Sequence, residues 1–65
     1  MINANEWRSR LGWTQREAAR QLGVALNTYQ EFERGRRFKD GATAHIDRRT
    51  ELAMIALERD PQLHF

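Results

Sequence analysis

The chain has 65 residues, no cysteine, two histidines and a formal net charge of +2. A chain this short is one domain at most and buries a limited core. The lack of cysteine removes disulfides and most structural zinc sites, and His45 and His64 are too far apart to make a convincing metal pair. No metal and no cofactor are expected. A partner chain is the remaining supplement to so small a core. No apolar run approaches a membrane span, and the N-terminus is polar after Ile2. The expected setting is a reducing cytoplasm.

The first helix is expected to start at Asn3. Asn3 and Glu6 have capping-box spacing, and Ile2 and Trp7 stand at hydrophobic-staple positions. Ala4, Trp7 and Leu11 would face inward, and Gly12 would end the helix. A second capping box, Thr14 with Glu17, opens a helix from about Arg16 to Leu22. Its inward residues would be Ala18, Ala19 and Leu22. Gly23 supplies the positive φ of a sharp exit. A third helix runs from about Leu26 to Arg34, with Tyr29 and Phe32 pointing inward and Gly35 as its stop. Two short helices across a tight glycine turn are a helix-turn-helix, whose second helix can lie in the DNA major groove.

Residues between Gly35 and Ile46 lack periodicity and read as a surface loop. Asp47 is a good N-cap for a fourth helix that runs to Glu58 or Arg59, where Asp60-Pro61 ends it. That helix carries a wide apolar arc: Ile55, Leu52 and Ala56 on one side, Ala53 and Leu57 on the next, then Met54. So wide an arc suggests a second chain against part of it. Met54 and Leu57, with Leu63 and Phe65 on the tail, are the expected contacts. The fold class is therefore all-α: a compact four-helix domain over residues 1–60 and a short tail over 61–65.

Charge is unevenly placed. Residues 1–39 hold eight basic side chains against four acids, a net of +4, and residues 40–65 hold three against five, a net of −2. The basic half suits a polyanion. Ten of the eleven cations are Arg, which favours bidentate phosphate contacts.

On the third helix, Leu26, Asn27, Gln30 and Glu31 lie opposite Tyr29 and Phe32. Asn27 and Gln30 could pair with adenine, Glu31 could accept from cytosine N4 or orient an arginine, and Leu26 could meet a thymine methyl. Gln15 and Arg16, in the first turn of the second helix, suit phosphate oxygens, and Thr14 could serve as cap and contact together. Arg34, Arg36, Arg37 and Lys39 are the expected phosphate clamps after the third helix. Arg10 and Arg20 read as solvated. No catalytic constellation is visible: there is no Cys, the two His are isolated, and no Gly-rich phosphate loop precedes a Lys-Ser/Thr pair. No enzymatic activity and no small-molecule ligand are expected.

The run from Trp7 to Arg37 resembles the Cro and phage-repressor (Xre-like) class of helix-turn-helix regulators, within the lambda-repressor-like folds. The residues that carry the likeness are Arg8, Leu11-Gly12-Trp13-Thr14-Gln15, Ala19 before Gly23, and Glu33-Arg34-Gly35. The resemblance implies a Gln15 that touches the DNA backbone and an Arg8–Glu33 pair that fixes the third helix against the first. It implies a homodimeric repressor bound to an inverted-repeat operator in double-stranded DNA, in the cytoplasm and nucleoid of a bacterial or phage-infected cell. The alternative is an antitoxin or adaptor whose fourth helix grips another protein. Ala25 departs from the usual Ser or Thr cap, Ala18 is smaller than the usual Leu, and Tyr29 is larger than the usual Ile or Val. The short chain resembles very small phage and plasmid regulators, including the anti-CRISPR-associated repressors.

Overall fold

The computed structural model describes residues 2–62. They form α1 (Ala4–Leu11), α2 (Gln15–Leu22), α3 (Leu26–Arg34) and α4 (Arg48–Arg59). No strand occurs among the described residues; the loop after α3 closes through one isolated antiparallel bridge, Arg36 with Thr43. Leu63 and Phe65, expected on the dimer contact, lie outside the described residues.

The caps form as spaced. Asn3 Oδ1 accepts the Glu6 N–H at 2.9 Å, Thr14 Oγ1 the Glu17 N–H at 3.1 Å, and Asp47 Oδ1 the Thr50 N–H at 3.1 Å. Each satisfies a donor that the helix start leaves open. Only this half of the Thr14 box is made: the Glu17 carboxylate turns outward to Arg20 and Gln21. Arg20 is thus paired rather than free, and Arg10 pairs with Glu58 across α1 and α4. Gly23 has φ 71°, ψ 29°, and its N–H and that of Val24 close onto Ala19 and Arg20 carbonyls. That left-handed turn lets α3 leave at once in a new direction.

Ala25 stands at the N-cap of α3 with an extended backbone (φ −66°, ψ 151°) and no side-chain cap bond. The geometry is already that of a cap, and only the oxygen is missing. Ala25→Ser should stabilise the domain by about 1 kcal/mol and raise Tm by roughly 4–8 °C in a thermal melt. An unchanged Tm would mean that solvent already satisfies the first α3 N–H groups as well as a side chain could.

Ala4, Trp7, Ala18, Ala19, Tyr29, Met54 and Leu57 form the buried core. Ile2, Leu11, Trp13, Leu22, Val24, Leu26, Phe32 and Ile46 pack partly buried around it. Trp7 is its hub. Its ring meets Trp13 edge-on at 5.7 Å and Tyr29 at 6.4 Å, and Tyr29 meets Phe32 edge-on at 6.4 Å. Edge-to-face aromatic packing adds to simple burial. The polar ends of both large rings are satisfied: Trp7 Nε1–H donates to the Met54 carbonyl at 2.8 Å, and the Tyr29 hydroxyl donates to the Ala4 carbonyl at 3.1 Å. Those bonds pin α4 and α3 to α1. Small Ala18 and large Tyr29 are both fully buried in this core.

The expected placement of α4 is corrected by this packing. Met54 and Leu57 are completely buried within the single chain, while Leu52 is 52% and Ile55 39% exposed. The Trp7 indole bond fixes the Met54 side of the helix inward. Met54 and Leu57 therefore have no surface left for a second chain, and the Leu52–Ile55 stripe faces out.

Candidate nucleic-acid interface

The interface begins with one carboxylate. Glu33 Oε2 accepts Arg8 Nε–H at 2.6 Å, and Glu33 Oε1 accepts Arg8 Nη2–H at 3.3 Å, Gln15 Nε2–H at 2.9 Å and Asn5 Nδ2–H at 3.3 Å. Arg8 uses its remaining Nη1–H on the Trp13 carbonyl at 3.0 Å. The pair is mostly shielded, with side chains 20% and 9% exposed for Arg8 and Glu33. It joins α1, the α1–α2 turn, the start of α2 and the end of α3. Burial pushes the Glu33 carboxyl up, but hydrogen bonds from Arg8, Gln15 and Asn5 outweigh it and hold the group at about 2. Glu33 in turn raises Arg8. Burial pushes the Tyr29 phenol up, and the neighbouring Glu33 charge adds to it. The Arg8–Glu33 contact was expected from the sequence. Asn5 was not, although its place one turn before Arg8 puts both on one helix face.

Gln15 extends this network outward. Its amide nitrogen binds Glu33, and its carbonyl oxygen accepts Gln30 Nε2–H at 3.2 Å. A relay therefore runs from the core ion pair through α2 to α3. Arg8, Thr14, Gln15, Arg16, Leu26 and Gln30 line one shallow groove where the N-termini of α2 and α3 converge. Helix N-termini carry partial positive charge and free N–H groups, so this groove favours an anion. Arg16 adds an exposed guanidinium at its rim. Thr14 caps α2 with its oxygen and stays exposed.

The candidate base-reading residues do not share one environment. Asn27 is exposed and Gln30 half-buried beside Gln15. Leu26 is half-buried against the core, so part of its surface is already used. Glu31 turns along its own chain: Oε2 accepts the Phe38 N–H at 2.7 Å. Its carboxylate holds the adjoining loop.

That loop is tightly tied. Arg37 N–H donates to the Ala42 carbonyl at 2.8 Å, Gly41 N–H to the Arg37 carbonyl at 2.9 Å, and Ala44 N–H to the Gly35 carbonyl at 3.0 Å. Arg36 Nη1–H donates to the Gly41 carbonyl at 3.2 Å, and the Arg34 guanidinium lies 5.0 Å over the Phe38 ring. Of the four expected clamps, Arg34 and Arg36 are thus positioned by the loop. Arg37 and Lys39 are exposed and make no side-chain hydrogen bond or ion pair among the described residues. The sequence pointed to the loop's cations and not to Phe38, the aromatic set among them.

Three short helices packed on a fourth, with α2 and α3 joined by a left-handed glycine turn, define a helix-turn-helix protein. The family model of the helix-turn-helix domain matches residues 5–53, about three-quarters of the chain. The chain belongs to the helix-turn-helix domain family, and this membership points to a DNA-binding regulator. No curated protein and no solved structure gave a match. Among the described residues no helix is long and apolar enough to cross a membrane, and no group of three or more metal-ligating side chains comes together.

Proposed function

We propose that this protein is a sequence-specific DNA-binding regulator that represses transcription as a homodimer on an inverted-repeat operator. The observation that carries this reading is the groove at the joint N-termini of α2 and α3, lined by Arg8, Thr14, Gln15, Arg16, Leu26 and Gln30. α3 enters the major groove, Asn27, Gln30 and the free part of Leu26 meet base edges, and Gln15 and Arg16 hold a phosphate. Arg34, Arg36, Arg37 and Lys39 engage the backbone beyond the recognition helix.

The dimer runs through the outer stripe of α4. Arg48, Leu52, Ile55 and Arg59 recur at helical spacing on the side away from Met54 and Leu57. Leu52 also borders an apolar groove with Leu22, Val24 and Ala53, rimmed by Arg48 and Arg49. A twofold contact there buries the exposed stripe and sets two copies of α3 about one helical turn of DNA apart, ~34–36 Å. The same stripe also suits the adaptor reading, in which a different protein covers it.

The test is binding of the purified protein to duplexes selected from a random library. Asn27→Ala and Gln30→Ala should each cost about 1–3 kcal/mol of discrimination between selected and random DNA, with the fold intact. Arg37→Ala should weaken binding to every sequence and flatten the salt slope. Selected sites without twofold symmetry would remove the dimeric operator. Specific binding that appears only after a partner protein is added would favour the adaptor.

A further inference from the structure

Among the described residues Phe38 is one of three large apolar side chains left open to solvent, at 48% exposure, and it has no place in the core. It stands at the turn of the loop between Arg36, Arg37 and Lys39. An aromatic ring exposed among cations suits a partner that is anionic and apolar at once.

Its position is set by the recognition helix itself. Asn27, Gln30, Glu31 and Arg34 succeed one another at helical spacing along one face of α3. The last two of these grip the loop: Glu31 through the Phe38 N–H and Arg34 over the Phe38 ring. The ring therefore continues the reading face past its C-terminal end. The backbone bonds across residues 35–44 hold it there, so little ordering is left for binding. Recognition helices meet base edges with their N-terminal residues. Residues beyond the C-terminal end of the face meet the wall of the groove, where deoxyribose carbons and phosphates alternate.

We propose that Phe38 packs on the deoxyribose surface of the DNA backbone where the reading face leaves the major groove. This contact rests on the DNA-binding reading above and adds a residue to it. Arg34 covers one side of the ring and the sugar takes the free side. Arg36, Arg37 and Lys39 pair with the flanking phosphates. Because Phe38 carries no charge, it strengthens binding without releasing counterions. Its contribution therefore separates from that of the arginines by salt dependence.

The test uses full-length protein and a duplex recovered by selection from a random library. Hydroxyl-radical footprinting reads deoxyribose accessibility directly. Wild type should protect a set of sugars at one edge of each half-site. Phe38→Ala should lose that set alone, bind about tenfold more weakly and keep the wild-type salt slope. Phe38→Leu should recover part of the affinity. Thermal melts of both variants should match wild type, since the Glu31 bond is to backbone and survives either change. Wild-type affinity and an unchanged footprint for Phe38→Ala would overturn the contact while leaving the DNA-binding reading in place. Failure of the wild-type protein to bind any selected duplex would overturn that reading, and the contact with it.

Discussion

Glu33→Ala should destabilise the protein by about 3–5 kcal/mol, the cost of stranding a shielded charge. The substitution removes the only carboxylate that Arg8 touches among the described residues and takes an acceptor from Gln15 and Asn5 together. A domain of this size has only about 3–10 kcal/mol of stability. Much of the variant population should therefore be unfolded at 37 °C. Arg8→Ala should do comparable damage, because it strands the Glu33 carboxylate. The double variant should cost much less than the two singles added, since it strands neither charge. Denaturant melts of the four proteins measure this coupling. Small, additive losses would show that the pair behaves like an exposed one, worth ~0–1 kcal/mol.

The same pair predicts an acid limb. The Glu33 carboxyl titrates at about 2 in the folded chain and at about 4.3 when unfolded. Well above pH 4.3 both states are ionised, and the contribution is complete, on the order of 3 kcal/mol. Between pH 4.3 and 2 the unfolded chain takes up the proton and the folded one does not, so stability falls as pH falls. In Glu33→Gln this part of the pH profile should flatten. Melts across that window check it.

Met54→Glu should unfold the chain, whereas Leu52→Glu with Ile55→Glu should leave it folded. Met54 is fully enclosed beside Trp7, and no described basic side chain is buried there to meet a carboxylate. An unpaired buried charge is among the few single changes that cost above about 4 kcal/mol. Met54→Leu, by contrast, should cost less than about 1.5 kcal/mol. The Leu52 and Ile55 changes fall on solvent-facing positions and should alter association instead. Circular dichroism reads the fold, and sedimentation at micromolar concentration reads the mass. A wild-type monomer there, with one chain bound per half-site, would remove the proposed dimer. A folded Met54→Glu protein would mean that α4 can turn about its axis.

The glycine turns, the caps and the inward faces of α1, α2 and α3 were legible because each is a local rule. An Asn, Thr or Asp oxygen reaches an N–H three residues on, and Gly23 alone tolerates the turn it makes. The Arg8–Glu33 contact came from family likeness rather than from spacing, whereas the helix-turn-helix was readable from its caps and glycine turn, and the family match supports it. The face of α4 was not legible. Met54 with Leu57 and Leu52 with Ile55 are both apolar pairs three residues apart, so helical periodicity fits either one. Tertiary packing selects between them: Met54 and Leu57 join the core around Trp7, whose indole, 47 residues away in the chain, donates to the Met54 carbonyl. Glu31 and Phe38 depended on the fold in the same way, because the carboxylate meets that N–H only after α3 has ended and the chain has turned back. Sequence by itself determined which segments are helices, where they stop and which class they compose. Tertiary structure decided which apolar stripe is core and which polar side chains stay exposed, because those choices depend on contacts between residues distant in the chain.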